Sequence, residues 1–103
     1  MNVKFTNAQM DSFCTALREA IEQYDAMKAA KMLEAEDALV KACLEEMWVK
    51  LSKQRVEWQK QYSFELKPSW AWAIVCQWSG FYDATHAGNL IHQLCNRIDQ
   101  QFA

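Results

Sequence analysis

Glycine and proline are almost missing from this 103-residue chain: Gly80, Gly88 and Pro68 are the whole stock, and residues 1–66 contain neither. So long a stretch without a breaker favours helices. Two isolated glycines also leave no glycine-rich turn to cradle a phosphate, which excludes both common nucleotide-loop patterns. Long hydrophobic runs are lacking too. The longest, Trp70 to Cys76, falls far short of the roughly 20 residues of a membrane-spanning helix, and the opening MNVKFTNAQM has no apolar signal core. A soluble, cytoplasmic protein with no membrane partner is expected.

Catalytic and metal-binding patterns are equally scarce. Cys14, Cys43, Cys76 and Cys95 form no C-x-x-C pair and stand among apolar neighbours, so buried reduced thiols are expected rather than disulfides or a zinc knuckle. There is no G-x-S-x-G, no cysteine in a basic context and no E-x-x-H pair of the di-iron bundles. The chain has two histidines. His92 and Cys95 share a helix face, and Asp83 and His86 have the same spacing, yet neither pair makes a metal site without ligands from elsewhere. No cofactor and no small-molecule substrate is implied.

What the chain does have is apolar content of 51% against 23% charge, the balance of a folding sequence rather than a disordered one. At this length a single helical domain over 1–103 is expected. The net charge of −2 opposes strong non-specific nucleic-acid binding, but it hides a division. Residues 19–46 carry eight acids against Lys28, Lys31 and Lys41, whereas residues 47–67 carry five basic residues against Glu57 and Glu65.

The first helix has a legible start. Thr6 and Gln9 match a capping box, with Phe5 and Met10 at the two positions of a hydrophobic staple. Its apolar side then runs Met10, Phe13, Cys14, Leu17, Ala20, Ile21, Tyr24, Met27 at helical spacing. Beyond Met27 that side would carry Lys31 and Glu34, while a new one opens through Leu39, Val40, Cys43, Leu44, Met47, Leu51 and Trp58. A turn is therefore expected between Lys28 and Asp37, because one straight helix from Thr6 to Gln61 would run about 80 Å. The second helix is expected to reach about Gln61, with a continuous helix in a dimer as the alternative.

Tyr62, Phe64 and Leu66 alternate, as do Trp70, Trp72, Ile74, Cys76 and Trp78, so a β-hairpin over about 61–78 competes with a short helix. Pro68-Ser69 as a helix start, Ala71 and Ala73 within it, and Ser79-Gly80-Phe81 as a glycine cap favour the helix. Apolar on every side, this segment is expected to be the central, tryptophan-rich core element. A last amphipathic helix is expected from near Asp83 through Ala87, Leu90, Ile91, Leu94, Cys95, Ile98 and Phe102. The expected fold is all-α, a compact three- or four-helix bundle with a long antiparallel pair; the alternative is α+β with the short hairpin.

The candidate interaction face is Trp48, Lys50, Lys53, Arg55, Trp58 and Lys60, where basic residues interleave with aromatics. Such a face suits an acidic protein partner or nucleic acid, although a basic outer side is also how an amphipathic helix meets water. The functional expectation is a non-enzymatic protein–protein interaction or accessory module, self-association included. The alternatives are a nucleic-acid-associated protein using Lys50, Lys53, Arg55 and Lys60, and a metal-binding protein or enzyme around His92 and Cys95.

Overall fold

The structure, a computed structural model, describes residues 1–78 and 86–102, the side chains of 86–88 excepted. In chain order the elements are β1 (Asn2–Thr6), α1 (Asn7–Ala29), α2 (Ala35–Gln54), β2 (Gln61–Glu65), α3 (Pro68–Trp78) and α4 (His86–Phe102). The protein is mostly helical, with one small two-stranded antiparallel sheet.

Helix α1 begins as the capping box requires. Thr6 Oγ1 accepts from the Gln9 backbone N–H at 3.2 Å, and Gln9 Oε1 accepts from the Thr6 N–H at 2.9 Å. Its far end lies where the apolar side changes. Lys31 takes φ 58°, the Lys31 N–H reaches the Lys28 carbonyl at 3.0 Å, and the Met32 N–H reaches the Met27 carbonyl at 2.8 Å. This paired return of bonds is a Schellman ending, whose left-handed position normally holds glycine. The chain then reverses into α2, whose Glu34 N–H is met by the Asp37 carboxylate at 3.2 Å. The acids Glu36 and Asp37 lie in the first turn, where the helix dipole favours negative charge. Folding back on itself keeps the longest dimension to 41 Å, half that of an unbroken helix.

In its main helix contacts α1 packs on α2 and α4, and α3 on α2 and α4, so the four close a ring, with Phe13 of α1 meeting Trp78 of α3 across it. Buried at its centre are Phe13, Leu17, Leu44, Met47, Leu51, Trp70, Ile74, Ile91 and Leu94, among others in one cluster. The sheet covers α1. In both strands alternate residues are buried, and Val3 faces Phe64 as Phe5 faces Tyr62 in the register. Period-two alternation places one edge-row of side chains in the core and the other in water.

Several expectations change at this level. The favoured helix forms over the tryptophan stretch, and of the competing hairpin over 61–78 only the strand Gln61–Glu65 exists, paired with the N-terminal segment Asn2–Thr6. The alternation of Val3 and Phe5 is the signal for β1. Helix α2 stops at Gln54 rather than near Gln61, because Tyr62 is drawn to α1: its hydroxyl accepts from Asn7 Nδ2 at 3.3 Å and from the Gln59 N–H at 3.1 Å, and donates to the Glu57 carbonyl at 3.3 Å. Trp70 and Trp78 are core, whereas Trp72 points outward at 41% exposure. Cys14 and Cys95 are buried, Cys43 is half-buried and Cys76 is exposed, so burial does not extend to all four thiols. In α4 the core residues Leu90, Ile91, Leu94, Cys95 and Ile98 follow the expected side, but Phe102 is 44% exposed. The proposed caps at Gly80 and Asp83 lie outside the described residues. No helix among the described residues is long and apolar enough to cross a membrane.

Candidate interaction surfaces

The six residues of the basic, aromatic-bearing segment do not form one face. Successive helix positions are separated by about 100°, so Trp48 and Lys50 project to opposite flanks of α2. Trp48 is half-buried against the core. Arg55 pairs with Asp11 of α1. Lys50 lies on the α3 side, its Nζ 5.3 Å from the ring centroid of Trp70. Lys53 is exposed on the outward side, and Trp58 and Lys60 are exposed in the segment between α2 and β2. Two of the four basic residues are thus held by partners in the fold.

Around Trp70 those partners make a small charged cluster. The Glu46 carboxylate accepts from the Trp70 indole N–H at 3.2 Å and from Lys67 Nζ at 2.9 Å, and Lys67 also stands 5.0 Å from the ring centroid. Lys67, first by hydrogen bond and then by charge, holds the Glu46 carboxyl below its ordinary range, with the indole N–H and Lys50 adding to it. A large buried aromatic thereby gains both an acceptor for its N–H and two cations for its face. The arrangement staples α2 to α3.

Sequence reasoning missed the outward side of α2. Ala35, Ala38, Ala42 and Val49 recur at spacings of three, four and seven, all exposed, with Leu39 at 61% beside them. Past the helix end Val56 is 87% and Trp58 72% exposed. The signal was present. Val40, Leu44, Met47 and Leu51 account for the buried stripe, and Leu39 and Val49 fall off that line. Grouping Leu39 with the buried stripe, and leaving Val49 out of either side, conceals the second surface.

The described residues also line two depressions. One, of about 350 Å³, lies between α3 and α4, lined by Pro68, Ala71, Trp72, Val75, Ile98 and Phe102, with Asp99 as the one charged residue among the described lining. The other, of about 100 Å³, lies between β1 and α4 near Lys4, Gln9 and Arg97. His92 is exposed and Cys95 buried, and among the described residues no three His, Cys, Asp or Glu side chains gather as metal ligands would. Asp83 lies outside the described residues. Burial raises the thiols of Cys14, Cys43, Cys76 and Cys95 above their ordinary value; at Cys14 the Arg55 guanidinium partly offsets it.

Fold and surface define a mostly helical protein with a small antiparallel sheet and an uncovered helix flank. Comparison with protein-family models, with curated proteins and with solved structures found no match.

Proposed function

We propose that this chain is a non-enzymatic protein-interaction module, an accessory or regulatory protein of the cytoplasm, and that its docking surface is the outward side of α2. The observation that carries the reading is the run of exposed aliphatic and aromatic side chains, Leu39, Val49, Val56 and Trp58, along one helix and the segment that follows it. Exposed apolar residues of this size are what protein contact surfaces offer, and Trp58 is of the residue type that dominates them. Four unpaired cysteines suit a reducing compartment.

The test is affinity capture from the source cell with the natural chain and with a Leu39→Glu, Val49→Glu variant. The expected outcome is a defined set of proteins retained by the first and lost by the second, while a Phe102→Ser control retains them. Identical capture by all three removes α2 from the interaction. The nucleic-acid reading has less support, since Arg55 and Lys50 already serve Asp11 and Trp70. A labelled oligonucleotide at low salt, where phosphate contacts are strongest, tests what Lys53 and Lys60 can still do.

A further inference from the structure

Between β1 and α4 the fold leaves a polar depression of about 100 Å³, on elements other than the α2 docking surface. Four side chains around it can donate hydrogen bonds: Lys4 of β1, Gln9 of α1, and Gln93 and Arg97, one turn apart on α4. Two of the four are cations, and the described lining includes no acid. We propose that this depression is a binding site for a single phosphate group.

The donors are available. Lys4 and Arg97 take part in none of the ion pairs among the described residues. The Arg97 guanidinium gives an N–H to the Asn2 carbonyl at 3.3 Å, which holds the side chain beside the strand and leaves its other donors unused. Gln9 is oriented by the capping box. Because its Oε1 accepts from the Thr6 N–H at 2.9 Å, the part of its amide that remains is the NH₂, a donor.

The nearby carboxylates are engaged or placed elsewhere. Glu65, the one acid of the sheet, stands across from Asn2 and is held by the Met1 amino group at 2.7 Å. Asp11, the first acid of α1, pairs with Arg55, and Asp99, the one acid of α4, lines the other depression. An anion between Lys4 and Arg97 is therefore attracted by both and opposed by no lining charge among the described residues.

Shape and size narrow the anion. Phe5, Leu90 and Leu94, all buried, supply the apolar part of the lining, and apolar walls focus the field of the charges beside them. The volume is below the roughly 300–1,000 Å³ of pockets for drug-sized ligands, so one compact group fits and a whole nucleotide does not. A tetrahedral phosphate offers oxygens in several directions, enough for the guanidinium fork, the ammonium and the two amides together; a planar carboxylate offers two. Side chains here take the part that backbone N–H groups play in a glycine-rich loop.

Titration of the ¹⁵N-labelled full chain with inorganic phosphate, the ionic strength held constant with sodium chloride, reads the outcome by NMR. The expected result is one saturable set of shifts centred on the amides of Lys4, Gln9, Gln93 and Arg97. Lys4→Gln and Arg97→Gln should each weaken binding about tenfold, the size of one lost charge-assisted hydrogen bond, while Lys28→Gln on α1 should leave it unchanged. All three positions are exposed, so unchanged far-ultraviolet circular dichroism verifies the fold; Lys4→Gln decides the matter if loss of the Arg97 bond to Asn2 disturbs the sheet. Shifts that never saturate, shifts spread equally over the other lysines, or binding indifferent to Lys4→Gln each overturn the proposal. So does acetate binding as tightly as phosphate. Phenyl phosphate identifies the source: binding at least as tight as that of the free ion supports a phosphate carried on a larger molecule, and weaker binding supports the free ion. Failure of this site leaves the α2 surface standing, because the Leu39→Glu, Val49→Glu variant tests that surface separately.

Discussion

Lys31 illustrates how much can depend on a residue with no obvious signal. It holds the left-handed position that ends α1, with φ 58°, where a side chain beyond glycine is crowded by its own backbone. Replacing it with glycine relieves that crowding while preserving both bonds of the Schellman ending. Lys31→Gly is expected to stabilise the protein by about 0.5–1 kcal/mol, seen as a rise of several degrees in the thermal midpoint. An unchanged or lowered midpoint would show that the turn tolerates lysine without cost. The same residue explains why the sequence confines the turn no more closely than to the stretch between Lys28 and Asp37: the usual marker, glycine, is not there, and only the change of apolar side reveals it.

At the scale of elements, the shortening of α2 and the birth of β2 have one cause. Nothing in MWVKLSKQRVEWQKQY stops a helix by composition, so its pattern alone extends to Gln61. Tertiary contacts end it at Gln54, since Tyr62 and Phe64 bury more surface beside Phe5 than they could on a helix pointing away from the core. The Asn7 N–H to the Lys60 carbonyl, at 3.1 Å, ties the incoming strand to the start of α1. The Tyr62 hydroxyl, with its three partners, holds the segment 55–60 in place. Tyr62→Phe keeps the ring and removes that hub, leaving polar groups of Asn7 and Gln59 to find water instead. A loss of about 1–2 kcal/mol in urea unfolding is expected, together with faster amide exchange in residues 55–60 than elsewhere. If exchange rises evenly across the chain, the hydroxyl is not the latch.

For the whole molecule, the four cysteines report on how the ring of helices shields its interior. Every thiol is raised above its ordinary value, chiefly by burial, so none is activated and access sets the order of reaction. Alkylation followed by mass spectrometry should modify Cys76 first, Cys43 next, and Cys14 and Cys95 only on unfolding. Early loss of Cys14 would mean that the α1 core opens locally. A thiol raised in the folded state binds its proton more tightly there than in the unfolded chain. Its contribution to stability is therefore full below the ordinary thiol value of 9.0 and fades as pH climbs through the raised one. The thermal midpoint should fall above about pH 9, and a Cys14→Ala, Cys95→Ala variant should lose part of that slope.

What the sequence determined by itself is the start and buried side of α1, the existence of a turn before Asp37, the helical character of the tryptophan stretch, and most of the buried side of α4. These follow from caps and periodicities carried within a dozen neighbouring residues. The tertiary structure decided the rest: that Asn2–Thr6 pairs with Gln61–Glu65, that Arg55 and Lys50 are taken by Asp11 and Trp70, and that Leu39 and Val49 are left outside. Each of those outcomes depends on residues far apart in the chain competing for a limited interior. A local pattern shows which side chains are apolar enough to be buried, whereas only packing selects which of them find room.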